Sequence, residues 1–382
     1  MKILEIVFHL NSGGAERFVV DLSNELSKTN DVILLALKED KSNPEEFLFY
    51  KFDLSERVKY KNVGLPSSSY KPFTMWQVYK AIKAEKPDIV HMHAAGMPKF
   101  CYLANLLLGK KITFVQTIHN DVNRGYSTAI YDFLHATLGR WKMIRFAAIS
   151  ETNYQEQKKL YPHTMATCIV NGRAPMQPTE KIEDVRREIA SLKKKTDTIV
   201  VLHVARCNPQ KNQMLLIDSF NALTARGTNA MLLVIGNSYD SELGASLKVA
   251  AGPNIYFLGT RKNISDYMAN ADVFVLSSAF EGMPITIIEA LLSGVPVVST
   301  PVCGAVDAVD GKNGVLSDGY TTDSYTAALS KVISNLAYYK ANAQKMKENS
   351  PYTIKACAEK YLEFFKSQET GESYPLLQKN HK

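Results

Sequence analysis

Phe280-Glu281-Gly282-Met283-Pro284-Ile285-Thr286-Ile287-Ile288-Glu289-Ala290 sets two glutamates around a Gly-x-Pro turn. The second lies in an otherwise apolar run that stops at Gly294, with Val295-Pro296-Val297-Val298 behind it. Pro284 reads as the first helical position, where its missing N–H costs nothing, and Gly294 reads as the helix stop. Glu281 then falls in the loop before the helix and Glu289 about one and a half turns inside it. The uncapped N–H groups of the first turn point at whatever sits in front of the helix. Such a segment can hold a polar, partly anionic ligand, with two carboxylates to grip hydroxyl groups. A loop glutamate is by default solvated. Glu289 is not easily so, because Ile287, Ile288, Ala290, Leu291 and Leu292 leave that helix almost no polar face. A helix apolar all round is buried, and a buried carboxylate needs a partner, which either an ion pair or a ligand supplies.

Outward from this segment, short β-branched runs alternate with helical stretches. Residues 2–10, 31–37, 88–93, 112–118 and 144–149 read as strands in the first half, and 198–204, 230–235, 254–258, 272–276 and 295–299 in the second. Residues 15–28, 74–85, 97–108, 151–160, 211–226, 264–270 and 284–293 read as helices between them. The alternation argues a parallel doubly wound α/β sheet, and it occurs twice. The break falls in the Pro/Gly-rich stretch 171–179. The expected organisation is therefore two Rossmann-like domains facing each other across a cleft, residues 1–172 and 173–350. An amphipathic helix within 351–368 follows, and 369–382 reads as a disordered polar tail.

The 382 residues, with 46% hydrophobic and 22% charged side chains, suit two globular domains. Cys101, Cys168, Cys207, Cys303 and Cys357 form no C-x-x-C pair. That excludes a disulfide framework and a cysteine zinc site and points to a reducing compartment. The first apolar run is too short for a signal peptide, and no run reaches membrane-spanning length, so a cytoplasmic location is expected. Net charge is a modest +7, but between Met97 and Phe146 seven basic residues (Lys99, Lys110, Lys111, Arg124, Arg140, Lys142, Arg145) face two acidic ones (Asp121, Asp132), a local balance of +5. Apolar and aromatic residues interleave with them. The surface is either an ordinary solvated face or one suited to an anionic bilayer or a lipid-linked pyrophosphate. No motif supports nucleic acid.

Three further stretches carry polar chemistry. After the first strand, Asn11-Ser12-Gly13-Gly14-Ala15-Glu16 lets backbone approach a ligand, with Ser12 or Asn11 near the helix cap. It is not G-x-G-x-x-G, which disfavours a nicotinamide or flavin cofactor. In the second half a strand delivers Arg206 to its C-terminal end, and Lys211 starts the next helix. Two cations at that end of a sheet can clamp a diphosphate. His91 and His93 in Asp88-Ile89-Val90-His91-Met92-His93, and His119 in Thr117-Ile118-His119, sit at strand ends. No carboxylate lies at ligand spacing from the His91/His93 pair in the sequence, so a metal is not expected. His93 and His119 read as hydrogen-bonding groups, and His91 as packed.

In this order and spacing the pieces resemble the retaining glycosyltransferases of family 4, which have the GT-B fold, over nearly the whole chain. The carriers are Gly13-Gly14-Ala15-Glu16, Asp88 to His93, Thr117-Ile118-His119, Ala205-Arg206 with Lys211, Ile235-Gly236-Asn237, Phe257-Leu258-Gly259 and Glu281-x7-Glu289. The resemblance implies that Arg206 and Lys211 bind the donor diphosphate, that Glu281 contacts sugar hydroxyls and Glu289 the ribose, and that the Gly282-Met283-Pro284-Ile285 turn helps hold sugar and phosphate. It implies that Gly13 and Gly14 close on the diphosphate, that His119 lies beside the reacting sugar with His93 on the acceptor side, and that the last helix crosses back to the first domain. Base recognition is expected near Gly236, Asn237 and Gly259 to Arg261. The chain departs from the family pattern in Ala205 before Arg206 and in Asn208-Pro209-Gln210 before Lys211, which alters the loop and leaves both cations.

The implied enzyme transfers a sugar from a UDP- or GDP-linked donor to a hydroxyl of a glycan or polyprenyl-linked acceptor. It would need no metal or other cofactor and would act in surface polysaccharide synthesis at the inner face of the cell membrane, with residues 97–146 touching anionic lipid. Catalysis would fall to His119, Arg206, Lys211 and Glu281. Two other readings stay open: a non-hydrolysing UDP-sugar epimerase of the same fold, and a non-catalytic sugar-nucleotide or glycan-binding protein.

Overall fold

The computed structural model describes residues 1–39, 48–66, 72–94, 96–109, 111–119, 137–139, 141, 143–162 and 164–370. These form two compact units. One comprises the described part of Met1–Ala174 with 352–370, and the other is Pro175–Pro351.

The first unit is built on β1 (Lys2–Val7), β2 (Asp31–Glu39), β3 (Val58–Pro66), β4 (Ile89–His93), β5 (Thr113–Ile118), β6 (Arg145–Ala148) and β7 (Ala166–Cys168). They make one seven-stranded parallel sheet in the order β3-β2-β1-β4-β5-β6-β7. The second is built on β8 (Ile199–Val204), β9 (Ala230–Ile235), β10 (Ile255–Gly259), β11 (Val273–Leu276), β12 (Val297–Ser299) and β13 (Gly314–Leu316), in the order β10-β9-β8-β11-β12-β13. Strands such as Ala230–Ile235 are buried at every residue, which is what a parallel sheet covered on both faces requires of its sequence. In each sheet the first strand lies between its successor and a later strand: β1 between β2 and β4, β8 between β9 and β11. Loops leaving the C-terminal ends of such a pair diverge and open a crevice there.

The ten expected strands are all present; most are trimmed at one end or both, by up to three residues, while β2 runs two residues further than expected and β10 one. Three strands are additional: β3, β7 and β13, each at a sheet edge. An edge strand has little apolar cover to advertise it. Lys59 and Lys61 of β3 are exposed and ion-paired to Asp31 and Glu85, a common protection for an open edge. Helices at 182–192, 242–250, 305–308, 322–334 and 336–348 also exceed the ranges expected.

The boundary falls after Ala174 rather than Gly172 because Asp21, on the Gly14–Leu26 helix, holds the segment. Its buried carboxylate accepts from Arg173 and from the Ala174 N–H, and also from Arg17 Nη2 at 2.6 Å. Arg173 N–H donates to Tyr352 O (2.9 Å), and Ile354 N–H donates back to Arg173 O (2.9 Å). The returning chain therefore joins the first unit. Its helix, Ile354–Thr370, seats Tyr361 against His91 and Phe18. Residues 369 and 370 belong to that helix, and 371–382 lie outside the described residues. None of the five cysteines forms a disulfide.

Candidate active site

In the second unit the Ile285–Ser293 helix begins one residue later than expected: Pro284, at φ −65° and ψ 111°, is its N-cap. Gly294 ends it in the left-handed conformation at φ 75°, a backbone state that costs a glycine nothing. Ile285, Ile287, Ile288, Ala290 and Leu291 are buried, so burial rather than helix propensity holds this short segment. Glu289, four residues after Ile285, shares its face and is 7% exposed.

Glu281 is not a solvated loop residue; only 8% of it is exposed. Its Oε1 accepts from Lys211 Nζ at 2.5 Å and from Ser278 Oγ at 2.7 Å, and Gln210 Nε2 reaches its Oε2 at 3.5 Å. Lys211 and Glu281 are thus one ion pair joining the loop after β8 to the loop after β11, at the divergence point of the sheet. The loops are also locked through backbone. Ala279 N–H donates to Gln210 O (2.7 Å), Gln210 Nε2 to Phe280 O (2.9 Å) and Ser277 Oγ to Lys211 O (2.9 Å). Residues Pro209–Lys211 form a 3-10 turn rather than the start of the following helix, with the Asn208 side chain accepting from the Lys211 N–H. The Asn208-Pro209-Gln210 departure therefore builds the turn that presents the lysine. Arg206 is exposed at the end of β8, and among the described residues its guanidinium has no hydrogen bond or ion pair.

Close backbone packing surrounds these groups. Gly236, after β9, has φ 156°, and a Cβ there would run into the Ala205 carbonyl. Its N–H donates to Gly259 O (3.0 Å), and Asn237 O accepts from Cys207 N–H (3.0 Å). Tyr239 and Gln213 hold the carbonyls of Ala205 and Arg206. Gly304, at φ 71°, lies against the Gly282-Met283 turn, where a Cβ would stand 2.5 Å from Gly282 O and 2.7 Å from Met283 Cα. Arg261 is held by Glu188 (3.1 Å) and by the Tyr267 hydroxyl (2.8 Å).

In the first unit Gly13, rather than Asn11 or Ser12, is the N-cap of the Gly14–Leu26 helix. Its φ of −105° suits any residue, and the Glu16 carboxylate end lies over its Cα, where a Cβ would displace that side chain. At the C-terminal end of β4, Ala94 is held at φ 99°, a conformation costing a non-glycine residue on the order of 1–3 kcal/mol.

The histidines are where the structure overturns the sequence reading. Glu5, in mid-β1, supplies the carboxylate absent from the local sequence. Its Oε2 lies 2.5 Å from His93 Nε2 and 2.9 Å from His91 Nδ1, with Glu5 and His91 fully buried and His93 2% exposed. His91 is therefore not merely packed. The register Glu5↔His91 across β1 and β4 brings the groups together. His93 Nδ1 meets His119 Nε2 at 2.9 Å, and His91 Nε2 meets the Thr117 hydroxyl at 2.8 Å, which in turn meets the Tyr361 hydroxyl at 2.8 Å. Burial alone would raise the Glu5 carboxyl, but the two imidazoles hold it down at about 2. Burial holds His93 down at about 4 and His119 well below the usual imidazole range. Glu5, His91 and His93 are also the one group among the described residues whose atoms lie close enough to share a metal ion.

Sequence reasoning thus placed Arg206, Lys211, Glu281 and Glu289 in one unit and His93 and His119 in the other. It missed Glu5, Ser278, Gln210, Thr117 and Tyr361. Only Glu5 left a signal, as a lone charge in an apolar strand. Of the basic region, Lys110, Asp121, Arg124, Asp132, Arg140 and Lys142 lie outside the described residues. Leu106, Leu107 and Trp141 are exposed there. No helix among the described residues is long and apolar enough to cross a membrane.

Residues 184–351 match the family model for glycosyl transferases group 1, and residues 12–163 match that for glycosyltransferase family 4. The chain is 26% identical to the putative glycosyltransferase EpsF of Bacillus subtilis, over 80% of this chain and 81% of that one. It is also 26% identical to the UDP-Gal:alpha-D-GlcNAc-diphosphoundecaprenol alpha-1,3-galactosyltransferase of Escherichia coli, over 67% and 68%. Among solved structures, Anabaena HepE in complex with UDP and glucose superposes with a TM-score of 0.79 at 18% identity, covering 96% of this chain and all of that one. Two matched family models on two parallel-sheet units, with the motif residues of each gathered at strand ends, place this chain among the group 1, family 4 glycosyltransferases of GT-B fold.

Proposed function

We propose that this glycosyltransferase moves a sugar from a UDP- or GDP-linked donor to a hydroxyl of a glycan or lipid-linked acceptor, with retention and without a metal, in surface polysaccharide synthesis. The observation that carries the reading is the Lys211–Glu281 pair at the divergence of β8 and β11, with Arg206 exposed at the end of β8 and its guanidinium bonded to no described residue. It combines two cations suited to a diphosphate with a carboxylate suited to sugar hydroxyls. The Glu289 carboxylate, one turn into the helix, would take the ribose. Support comes also from the relatives: HepE is seen with UDP-glucose, and the Escherichia coli enzyme is named for a UDP-galactose donor and a diphosphoundecaprenol acceptor.

In the proposed step the bond from the sugar's anomeric carbon to the β-phosphate oxygen breaks. A bond from that carbon to the acceptor oxygen forms on the same face, and the acceptor proton passes to the departing phosphate. Arg206 and Lys211 stabilise the charge that builds on the leaving group, the kind of interaction worth about 10²–10³ in kcat per donor removed. Positioning of the sugar by Glu281 and His119 adds to this. The acceptor would be met at the cytoplasmic face of the membrane, with Leu106, Leu107 and Trp141 touching anionic lipid.

A thermal-shift screen against UDP-, GDP- and ADP-sugars reads donor preference through ligand linkage, and NMR of the product reports its anomeric configuration. Inversion, or activity lost in EDTA and restored by a divalent cation, would sink the corresponding claim. Flotation with anionic vesicles tests the membrane contact, and its failure points to a soluble acceptor.

A further inference from the structure

The Glu5 cluster is not explained by packing. A carboxylate, three imidazoles and two hydroxyls lie close together in the first unit, in two hydrogen-bonded chains: Glu5–His93–His119, from β1 through β4 to the end of β5, and His91–Thr117–Tyr361, from β4 through β5 to the last helix. Each bond has a direction. An ionised carboxylate only accepts, so the His93 nitrogen facing Glu5 must carry a proton. A neutral imidazole carries one proton, which leaves His93 Nδ1 as an acceptor. The nitrogen opposite it, His119 Nε2, must then donate, and His119 Nδ1 is left with a bare lone pair. That atom is buried and has no hydrogen-bond partner among the described residues, which stop at His119 and resume at 137. Stacking of the His93 and His119 rings, centroids 5.2 Å apart at 26°, and the Phe18 ring 5.3 Å from His119 hold the imidazole in one orientation.

We propose that Glu5 is a positioning residue: acting through His93, it fixes His119 in the Nε2–H tautomer and leaves Nδ1 to accept from a substrate hydroxyl. The inference rests on the reading of His119 as a residue of the transfer reaction. The logic is that of second-shell carboxylates that set a histidine's tautomer through its other nitrogen. The same residues do not suit a metal ion. Two ligands on one ion at about 2.0–2.2 Å stand roughly 3.3 Å apart in tetrahedral geometry, whereas Glu5 Oε2 and His93 Nε2 are 2.5 Å apart, a distance for a shared proton. His93 Nδ1 is also already bonded to His119. His91 Nδ1, 2.9 Å from the carboxylate but off the line of a hydrogen bond, adds electrostatic hold on Glu5 rather than a link to His119.

The test is the ring-nitrogen NMR spectrum of the full-length protein labelled with 15N at histidine. Wild type should show neutral His93 and His119, each protonated at Nε2. In Glu5→Leu the His93 Nε2–H has no acceptor. Either tautomer of the pair then leaves one N–H without an acceptor among the described residues, on His93 Nε2 or on His119 Nδ1, so the bias toward His119 Nε2–H is lost and the His119 Nδ1–H form appears. Glu5→Gln keeps an oxygen where two ring nitrogens converge and should restore the wild-type pattern. With UDP-glucose as donor probe, Glu5→Leu should lower kcat by about 10- to 100-fold, and Glu5→Gln should recover most of that loss. A wild-type His93 imidazolium, a His119 protonated at Nδ1, or a stoichiometric metal on His91 and His93 overturns the proposal, even if Glu5→Leu fails to fold. An unchanged His119 tautomer in folded Glu5→Leu does the same. If the tautomer shifts as stated but His119→Ala leaves UDP-glucose turnover intact, the tautomer assignment stands and the role given to His119 falls.

Discussion

Glu281→Gln should tighten the binding of free UDP while slowing transfer. In the structure the ammonium of Lys211 is held by the Glu281 carboxylate at 2.5 Å, with the two side chains only 20% and 10% exposed. A diphosphate that uses Lys211 must compete with that carboxylate. Glutamine keeps the oxygen and the bond from Ser278 but removes the charge. A hydrogen bond to a charged group contributes about 1.5–3 kcal/mol net and a neutral one about 0.5–1.5, so roughly 1 kcal/mol of competition disappears. At about 1.4 kcal/mol per tenfold in Kd, UDP should bind some fivefold more tightly. Free UDP is the informative ligand because it has no sugar for Glu281 to grip. Turnover of a sugar donor should fall, since the hydroxyl contact weakens. Titration calorimetry with UDP on wild type, Glu281→Gln, Lys211→Met and the double variant closes a thermodynamic cycle. Lys211→Met should weaken UDP, and adding Glu281→Gln to it should gain nothing further. Equal or weaker UDP binding by Glu281→Gln alone would show that Lys211 is not the phosphate's cation.

Arg206→Ala should lower kcat by about 10²–10³ and leave the melting temperature unchanged, because the side chain is exposed and bonds to no described residue; near-normal turnover would remove it from the mechanism. Gly304→Ala combines a positive φ with a Cβ 2.5 Å from Gly282 O. It should cost about 2–3 kcal/mol in urea unfolding and weaken donor binding by displacing the turn, whereas a loss under 0.5 kcal/mol would show that the turn gives way freely. His203 is buried in β8, its Nδ1 3.0 Å from Val275 O, and burial holds it down at about 4 against an ordinary 6.5. Its neutral form is the one the fold accepts, so its contribution is complete above pH 6.5 and lost as pH falls toward 4, at about 1.4 kcal/mol per pH unit. His203→Leu should flatten the acid slope of stability by one proton in that window, and an unaltered slope would show that another group carries it.

Much of the fold was legible because its central strands are β-branched runs buried on both faces, and such runs announce themselves. The additional strands β3, β7 and β13 are all edges. Val58–Pro66 alternates lysine and asparagine with apolar residues because one of its sides is open, so nothing local separates it from a loop. The helix after the Gly282-Met283-Pro284 turn was legible down to its glycine stop. Its start was displaced by one residue because proline serves as well at the N-cap as one position later.

The sequence by itself determined two doubly wound units, the cations Arg206 and Lys211 after a buried strand, and the two carboxylates around Pro284. These depend on order along the chain and on the period of apolar residues. Tertiary structure alone decided the pairings. Lys211 meets Glu281 across 70 residues because β8 and β11 are neighbours in the sheet. Glu5 meets His93 across 88 because β1 lies beside β4. Register alone sets that carboxylate against two histidine rings, and no pattern within either strand encodes the register of its partner.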